Sequence, residues 1–188
     1  MKTLRKTAEE AYLKYANKII NRETWIDGFI SGIQYKKEYP QSIELCGLLW
    51  DTENLAIGGY EKDGRHYYTW DEAMEAAKFV GKRLPTQYEW EALCDLGSTW
   101  DDELKGRWFG GNHDSDHKGS LFLPAAGLRN IISGELAFTS SYGYYWSSSP
   151  YYGGNYYAGY LYFNSGYVSP LRNSSRAYGF SVRCVQNK

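Results

Sequence analysis

The chain has 188 residues, 43% of them hydrophobic and 18% aromatic, with a formal net charge of −1. This length fits one domain with at most a short appended element, and it allows a core without disulfide or metal support. Because basic residues are not in excess, we exclude nucleic acid and an anionic membrane surface as principal partners and expect local, aromatic contacts instead.

The first forty residues predict a helical extension. Apolar side chains recur there at helical spacing, with a break near Asn21, which favours two amphipathic helices. We therefore divide the chain into an N-terminal helical extension, residues 1–40, and a main domain, residues 41–188. The apolar stripe in residues 1–38 either packs on this domain or docks on a partner, which would be a larger assembly such as a phage tail or a second copy.

The next segment, residues 46–70, predicts short strands, because the turn sequences DTEN, GG and KDG separate its apolar runs. A helix is expected over Asp71–Phe79, with Thr69 or Asp71 as its cap and Gly81 beyond its end. Its buried face is predicted to consist of Ala73, Ala76, Ala77 and Val80.

A second helix is predicted over Thr86–Leu96. Thr86 follows Pro85 and precedes Glu89 by three residues, which is the pattern of a capping box. The apolar contacts of this helix are expected from Tyr88, Trp90 and Leu93.

The polar loop Gly110–Ser120 contains four side chains that could bind a metal: His113, Asp114, Asp116 and His117. Their spacing matches no coordination pattern, so we expect a solvated loop without a metal. The remaining residues, Leu121–Val185, predict short strands separated by Gly, Asn, Ser and Pro. Helices followed by an irregular antiparallel sheet indicate the α+β class.

The segment TWDEAMEAAKFVGKRLPTQYEWEAL, residues 69–93, resembles the signature of the formylglycine-generating-enzyme branch of the C-type lectin-like fold. The pattern of that branch runs W-x-x-A and then GKRLPTEAEWE, and it matches here without a gap. The resemblance implies a C-type lectin-like fold in which the RLPT turn, Trp90, Trp146 and Arg183 belong to the framework.

Catalysis is not expected, although relatives in that branch are oxidases. The resemblance implies that an active enzyme would need a pair of reactive cysteines in its carboxy-terminal region, and only Cys184 lies there. The calcium-lectin motifs EPN and QPD are also absent from the sequence. We therefore expect neither an enzyme nor a cofactor.

Three cysteines, Cys46, Cys94 and Cys184, lie far apart and form no CxxC or Cys/His pattern. They predict buried thiols, with a single bridge as the alternative. The amino terminus lacks the apolar region of a secretory signal, and no apolar run is long enough to insert into a membrane. We expect the protein on a virion, as in a phage tail, or at a cell surface that it reaches without such a signal.

The carboxy-terminal sequences LPAAGLRN, YYWSSSP, AGYLYFNSGYV and RAYGFSVRCV resemble the variable proteins of diversity-generating retroelements, of the phage and gut Bacteroidetes type. They are also similar to a related group of bacterial surface paralogs. In the retroelement proteins, a reverse transcriptase misreads template adenines, so that AAC codons become NNC codons.

The composition of residues 147–185 agrees with such mutagenesis. NNC codons never encode Lys, Glu, Gln, Met or Trp, and none of these five types occurs in this segment, although they make up about a quarter of the chain before it. Random absence over so many positions has a chance on the order of one in 10⁵.

Strand alternation separates frame from surface within this segment. Leu161, Phe163 and Val168 are expected in the core, and Phe180, Val182 and Cys184 are expected to alternate inward in the last strand. The predicted ligand-binding residues are Tyr151, Tyr152, Asn155, Tyr156, Tyr157, Gly159, Tyr160, Tyr162, Asn164, Tyr167, Ser169, Leu171, Arg172, Asn173, Ser174, Ala177 and Tyr178.

A surface rich in Tyr, Ser, Gly and Asn has the chemistry of an antibody combining site, because Tyr supplies rigid contact area and the small polar residues supply adaptable hydrogen bonds. We therefore expect a ligand-binding protein whose partner is a protein or glycan on a cell surface. Two alternatives remain at this point: a fixed surface module of the same fold, and tyrosines that fill a core.

Overall fold

The computed structural model describes residues 42–111 and 117–188. The predicted extension over residues 1–40 lies outside these residues, as do His113, Asp114 and Asp116, so the expectations for them stay predictions.

The described chain forms small antiparallel sheets and two short helices, an α+β arrangement. Strands come before the helices as well as after them. In chain order the elements are β1 Ser42–Leu45, β2 Leu48–Asp51, β3 Tyr60–Lys62, β4 Arg65–Tyr67, α1 Trp70–Phe79, α2 Gln87–Asp95, β5 Ser98–Asp101, β6 Gly106–Phe109, β7 Leu121–Pro124, β8 Leu128–Arg129, β9 Leu136–Ala137, β10 Gly143–Pro150, β11 Tyr157–Phe163, β12 Val168–Ser175 and β13 Val185–Asn187.

Three of the sheets have three strands, in the orders β1-β2-β13, β5-β6-β7 and β10-β11-β12. The pairs β3-β4 and β8-β9 form two smaller sheets. Strand β2 pairs antiparallel with both β1 and β13. This pairing places the carboxy-terminal strand in the same sheet as the first described strands, so the two ends of the described chain are hydrogen-bonded to each other.

The two helices predicted in the main domain are present, and each begins with a capping box. Thr69 and Glu72 form the first box, while Thr86 and Glu89 form the second, in which the Thr86 backbone N–H donates to the Glu89 carboxylate at 2.7 Å. Burial works against ionisation of Glu89, but hydrogen bonds from the Arg83 guanidinium and Thr86 outweigh it and lower the Glu89 pKa. The RLPT turn is thus held by polar contacts on both sides.

The core consists of two groups of buried side chains on opposite sides of β10 and β11. In the first group, the Trp90 ring lies 5.0 Å from that of Trp50 and 6.1 Å from that of Tyr145. In the second group, Trp146 stacks on Phe180 at 4.2 Å. Because β10 and β11 each contribute side chains to both groups, packing holds the sheet in place from both sides.

Arg183 is fully buried, as expected of a framework residue. Its guanidinium donates to the side-chain oxygen of Asn54 at 2.7 and 3.1 Å and to the carbonyl of Asp51 at 2.9 Å. Burial lowers the pKa of Arg183. These three bonds connect the last segment of the chain to the turn that follows β2.

The expected alternation in the last strand is only partly right. Phe180, Val182 and Cys184 are buried, but Ser181 and Arg183 between them are buried as well. The cause is that this segment is enclosed on two sides. It forms a bridge with β10 through Tyr145 and Ser181 and receives a backbone bond from β2 between the Asp51 N–H and the Cys184 carbonyl.

The helix contacts were predicted correctly for Trp90 and Leu93, which are buried, and wrongly for Tyr88, which is 80% exposed. Two residues along a helix correspond to about 200° of rotation, so Tyr88 lies on the side away from Trp90. In the first helix Ala73 and Ala77 are buried, whereas Ala76 and Val80 are partly buried.

All three cysteines are thiols, and none forms a disulfide. Cys184 is buried and Cys94 is partly buried, but the prediction of burial is wrong for Cys46, which is exposed in the turn between β1 and β2. Cys46 and Gly47 form the two-residue hairpin turn between β1 and β2, and both have the left-handed backbone of a type I′ turn, with φ 53° and 74°. Neither helix of the described chain has the length and apolar character required to cross a membrane.

We expect Trp90→Ala to lower the free energy of unfolding by about 3 to 5 kcal/mol, because the change empties the space between Trp50 and Tyr145. The matched control is Tyr88→Ala, two residues earlier on the exposed side of α2, which should change stability by less than about 0.5 kcal/mol. Urea denaturation measures both. Equal effects of the two changes would contradict the packing described above.

Candidate recognition surface

The predicted ligand-binding residues lie in and around the β10-β11-β12 sheet, whose register determines which side chains share a face. Tyr144 of β10 is paired with Tyr162 of β11, and Tyr160 is paired with Arg172 of β12. Directly paired residues point to the same side of a sheet. Tyr144, Tyr160, Tyr162 and Arg172 therefore lie on one face.

The opposite face of this sheet packs on the first core group. Leu161 and Phe163 are fully buried there, as predicted, and Phe163 contacts the rings of Phe109 and Tyr145 at about 6 Å. Val168 is half-buried against the same group. The frame residues inferred from alternation are thus correctly assigned.

One face of the sheet and its margin carry a continuous group of aromatic rings, which we call the tyrosine face. Successive members are close neighbours: Tyr142 stacks with Tyr162 at 5.7 Å, and Tyr144 stacks with Tyr160 at 6.0 Å. The tyrosine face consists of Phe138, Tyr142, Tyr144, Tyr160, Tyr162, Tyr167, Arg172 and Tyr178.

The tyrosine face has a fixed inner part. The rings of Tyr144 and Tyr160 lie 5.2 and 4.9 Å from that of buried Phe180, and both side chains are half-buried. Burial raises the pKa of both phenols, and neighbouring phenols raise that of Tyr144 further. These two hydroxyls therefore stay protonated at neutral pH and serve as hydrogen-bond donors as well as acceptors.

Arg172 is exposed at the margin of the tyrosine face and lies against two of its rings. Its guanidinium carbon is 5.5 Å from the ring centre of Tyr162 and 5.8 Å from that of Tyr167. Hydrogen bonding with Ser169 and then with Arg172 lowers the pKa of the Tyr167 phenol. Within residues 42–111 and 117–188, no carboxylate forms an ion pair with Arg172.

Three of the predicted surface positions, Tyr157, Gly159 and Asn173, lie on the other side of the sheet. Tyr157 and Gly159 share the face of Leu161, and Asn173 is paired with Gly159. Gly159 is buried, so its assignment to the displayed surface is wrong. The reason is helix α2, whose residue Gln87 lies over Gly159 and donates from its side-chain amide to the Arg172 carbonyl at 3.1 Å.

A second exposed group lies in the connection between β10 and β11, which we call the hairpin tip. It contains Tyr151, Tyr152, Asn155 and Tyr156, all exposed as predicted, with Tyr152 fully in solvent. The ring of Tyr151 contacts that of Tyr157 at 6.1 Å. The tip offers four polar or aromatic side chains that carry no core packing.

The predicted residues therefore differ in how freely solvent reaches them. Exposed are Tyr151, Tyr152, Asn155, Tyr156, Tyr157, Tyr167, Leu171, Arg172, Asn173 and Ala177. Half-buried are Tyr160, Tyr162, Asn164, Ser169, Ser174 and Tyr178. They do not form one continuous face, because the sheet and α2 separate the tyrosine face from Tyr157 and Asn173.

Sequence reasoning missed Phe138, Tyr142 and Tyr144. Alternation in β10 could have identified Tyr144, since its neighbours Gly143 and Tyr145 are both buried. Phe138 gives no such signal, because its exposed ring depends on a left-handed backbone with φ 61° and on its edge contact with Tyr142 at 5.1 Å.

Of the four candidate metal ligands in the loop Gly110–Ser120, only His117 belongs to the described residues. The His117 ring stacks on Trp108 at 4.3 Å, and its Nδ1 is buried with no hydrogen-bond partner among residues 42–111 and 117–188. In the described part of the chain, no three His, Cys, Asp or Glu side chains form a group that could hold a metal. His113, Asp114 and Asp116 lie outside the described residues.

Residues 94–185 match the model of a domain of unknown function (DUF8237), a range just under half of the chain. The range starts near the end of α2 and includes β10, β11, β12 and every residue of the tyrosine face. Neither the curated proteins nor the solved structures include a match to the chain.

We expect Gly159→Ala to lower the free energy of unfolding by about 1 to 3 kcal/mol, because a methyl group here overlaps the side chain of Gln87. The control is Asn173→Ala, at the exposed position paired with Gly159, which should cost less than about 0.5 kcal/mol. Thermal or urea unfolding measures both changes.

The contact can be tested further in a Gln87→Ala background, where the cost of Gly159→Ala should fall because the overlapping atoms are gone. An unchanged cost in that background would show that Gln87 does not restrict this position.

Proposed function

We propose that this protein is a ligand-recognition protein of the retroelement-diversified type, in which a fixed frame displays exchangeable side chains toward a molecule on a bacterial surface. The frame is the core beneath β10-β11-β12. The exchangeable part is the hairpin tip together with the exposed margin of the tyrosine face. A phage tail or a cell surface would carry the protein.

The observation that supports the proposal most is that residues 147–185 combine an unusual composition with buried frame residues. The segment lacks the five residue types that NNC codons never encode, yet it also contains Leu161, Phe163 and Phe180, which are buried. Diversification is tolerable only where the frame is kept constant, since core changes cost several kcal/mol and surface changes about 0.5 kcal/mol or less.

The proposal includes a C-type lectin-like fold. It is supported by the 25-residue signature around the RLPT turn, by the capping boxes at Thr69 and Thr86, and by the packing of α2 against the β10-β11-β12 sheet. In such an arrangement α2 supports the side of the sheet that carries Leu161 and Phe163, and the tyrosine face and the hairpin tip are left for binding.

The side chains available are suited to recognition. Tyrosines supply broad contact area and have few rotatable bonds, so ordering them on binding costs little entropy. The half-buried rings are already ordered by their neighbours: Tyr162 lies between Tyr142, Tyr144 and Tyr167. A ligand would therefore meet a preformed surface, which reduces the entropic cost of binding.

Randomisation with NNC codons tests the proposal. One library changes exposed positions only: Tyr151, Tyr152, Asn155, Tyr156, Tyr167, Leu171, Asn173 and Ala177. A control library changes the buried positions Leu161, Phe163 and Phe180. We expect most members of the first library to melt within a few degrees of the parent and most members of the second to be unfolded.

The same proteins are tested for binding to a panel of bacterial cells. Members of the first library should differ in which cells they bind, and Tyr162→Ala should weaken binding by the parent by about 2 kcal/mol. If both libraries unfold equally often, these tyrosines belong to the core. If the first library is stable but all members bind alike, the fixed-module alternative is correct.

A further inference from the structure

The charge of the carboxy-terminal segment is restricted to one sign. Residues 147–185 contain three arginines and no Asp or Glu. NNC codons do encode Asp, so the coding limit that excludes Glu and Lys does not explain the missing acid. The segment therefore places no negatively charged side chain on a recognition surface, and nothing in it would repel an anionic ligand.

Two of the three arginines already have structural partners. Arg183 is buried and bonded to Asn54. The Arg176 guanidinium lies 4.0 Å from the ring centre of Trp70 and donates to the Tyr157 carbonyl. Arg172 remains as the exposed cation of the segment.

The setting of Arg172 suits the capture of a carboxylate. The rings of Tyr162 and Tyr167 hold its guanidinium from the side of the tyrosine face, and cation–π contacts of this kind restrict the long side chain without neutralising it. An arginine held in this way presents paired N–H donors that match the two oxygens of a carboxylate.

The dimensions of the tyrosine face favour a small repeating ligand over a folded protein. Trp146 and Ala158 on this side of the sheet are buried in the second core group, which leaves Tyr144, Tyr160, Tyr162 and Arg172 as its open positions. On strands about 4.8 Å apart these cover roughly 10 Å by 10 Å, on the order of 100 Å². A stable protein partner needs about 800 Å² on each side. A few sugar rings fit the smaller area, and the flat phenol rings provide stacking surfaces for them and hydroxyl groups for hydrogen bonds.

We propose that the tyrosine face binds an acidic polysaccharide, in which a sugar carboxylate pairs with Arg172 and sugar rings pack against Tyr142 and Tyr162. This inference rests on the proposed recognition function and gives it a ligand class.

The experiment measures binding of the full chain to polygalacturonate, with dextran as the neutral polysaccharide and poly-glutamate as the acidic peptide. The variants are Arg172→Ala, Arg172→Lys, Tyr162→Ala and the control Arg65→Ala, which removes one exposed positive charge away from the tyrosine face. Circular dichroism melting of each variant verifies that it is folded.

We expect the parent to bind polygalacturonate and to bind dextran at least tenfold more weakly. Arg172→Ala should weaken polygalacturonate binding at least tenfold, Arg172→Lys should weaken it less, and Arg65→Ala should change it less than twofold. Tyr162→Ala should weaken it as well. Raising the salt concentration should reduce the difference between the parent and Arg172→Ala, because ions screen an exposed charge pair.

Failure to bind polygalacturonate would overturn the inference, as would equal effects of Arg172→Ala and Arg65→Ala. Binding to poly-glutamate alone would assign an acidic protein segment as the ligand and would also overturn it. Each of these results leaves the recognition function intact if Tyr162→Ala still weakens binding to cells. Loss of the proposed function itself would appear as cell binding that no change on the tyrosine face affects.

Discussion

The packing of β11 on the first core group is the constraint on which the rest of the structure depends. Leu161 and Phe163 fix one side of the strand against a core that includes Trp90, and this fixes the side on which Tyr160 and Tyr162 lie, because side chains alternate along a strand. A shift of one residue in register would bury the tyrosines and expose the two apolar side chains. The side chains of the tyrosine face are therefore determined by buried residues on the opposite side of the same strand.

The second core group limits how much of the sheet can vary. Phe180 packs beneath Tyr144 and Tyr160, so these rings are partly structural although they also border the surface. Exchange of side chains becomes less costly with distance from Phe180, toward Tyr167, Arg172 and the hairpin tip. A gradient from fixed to free positions lets a protein combine a preformed centre with an adaptable margin.

Local sequence signals predicted the local structure well. Both helices of the main domain, the capping box at Thr86 and the burial of Trp90 follow from residues close together in the chain, because capping depends on contacts three residues apart. Alternation likewise identified Leu161 and Phe163 as core. These features need no knowledge of the tertiary arrangement.

What sequence could not supply was the arrangement of distant segments. Gly159 was assigned to the surface because nothing near it in sequence indicates that Gln87, some seventy residues earlier, lies over it. Phe138 and Tyr142 were overlooked because they precede the segment of unusual composition. The enclosure of residues 179–185 on two sides, which buries Ser181 and Arg183, also depends on strands far away in the chain.

The most direct measurement is sequencing of the 3′ coding segment of this gene in many cells or virions descended from one clone. A diversified surface on a fixed frame predicts that descendants differ at exposed positions such as Tyr152, Tyr156 and Tyr167. The codons at these positions should be NNC codons that were copied from AAC codons of the template. Codons for Leu161, Phe163, Gly159 and Phe180 should stay constant. An unchanged segment in every descendant, or substitutions spread evenly over buried and exposed codons, would contradict a retroelement-diversified surface.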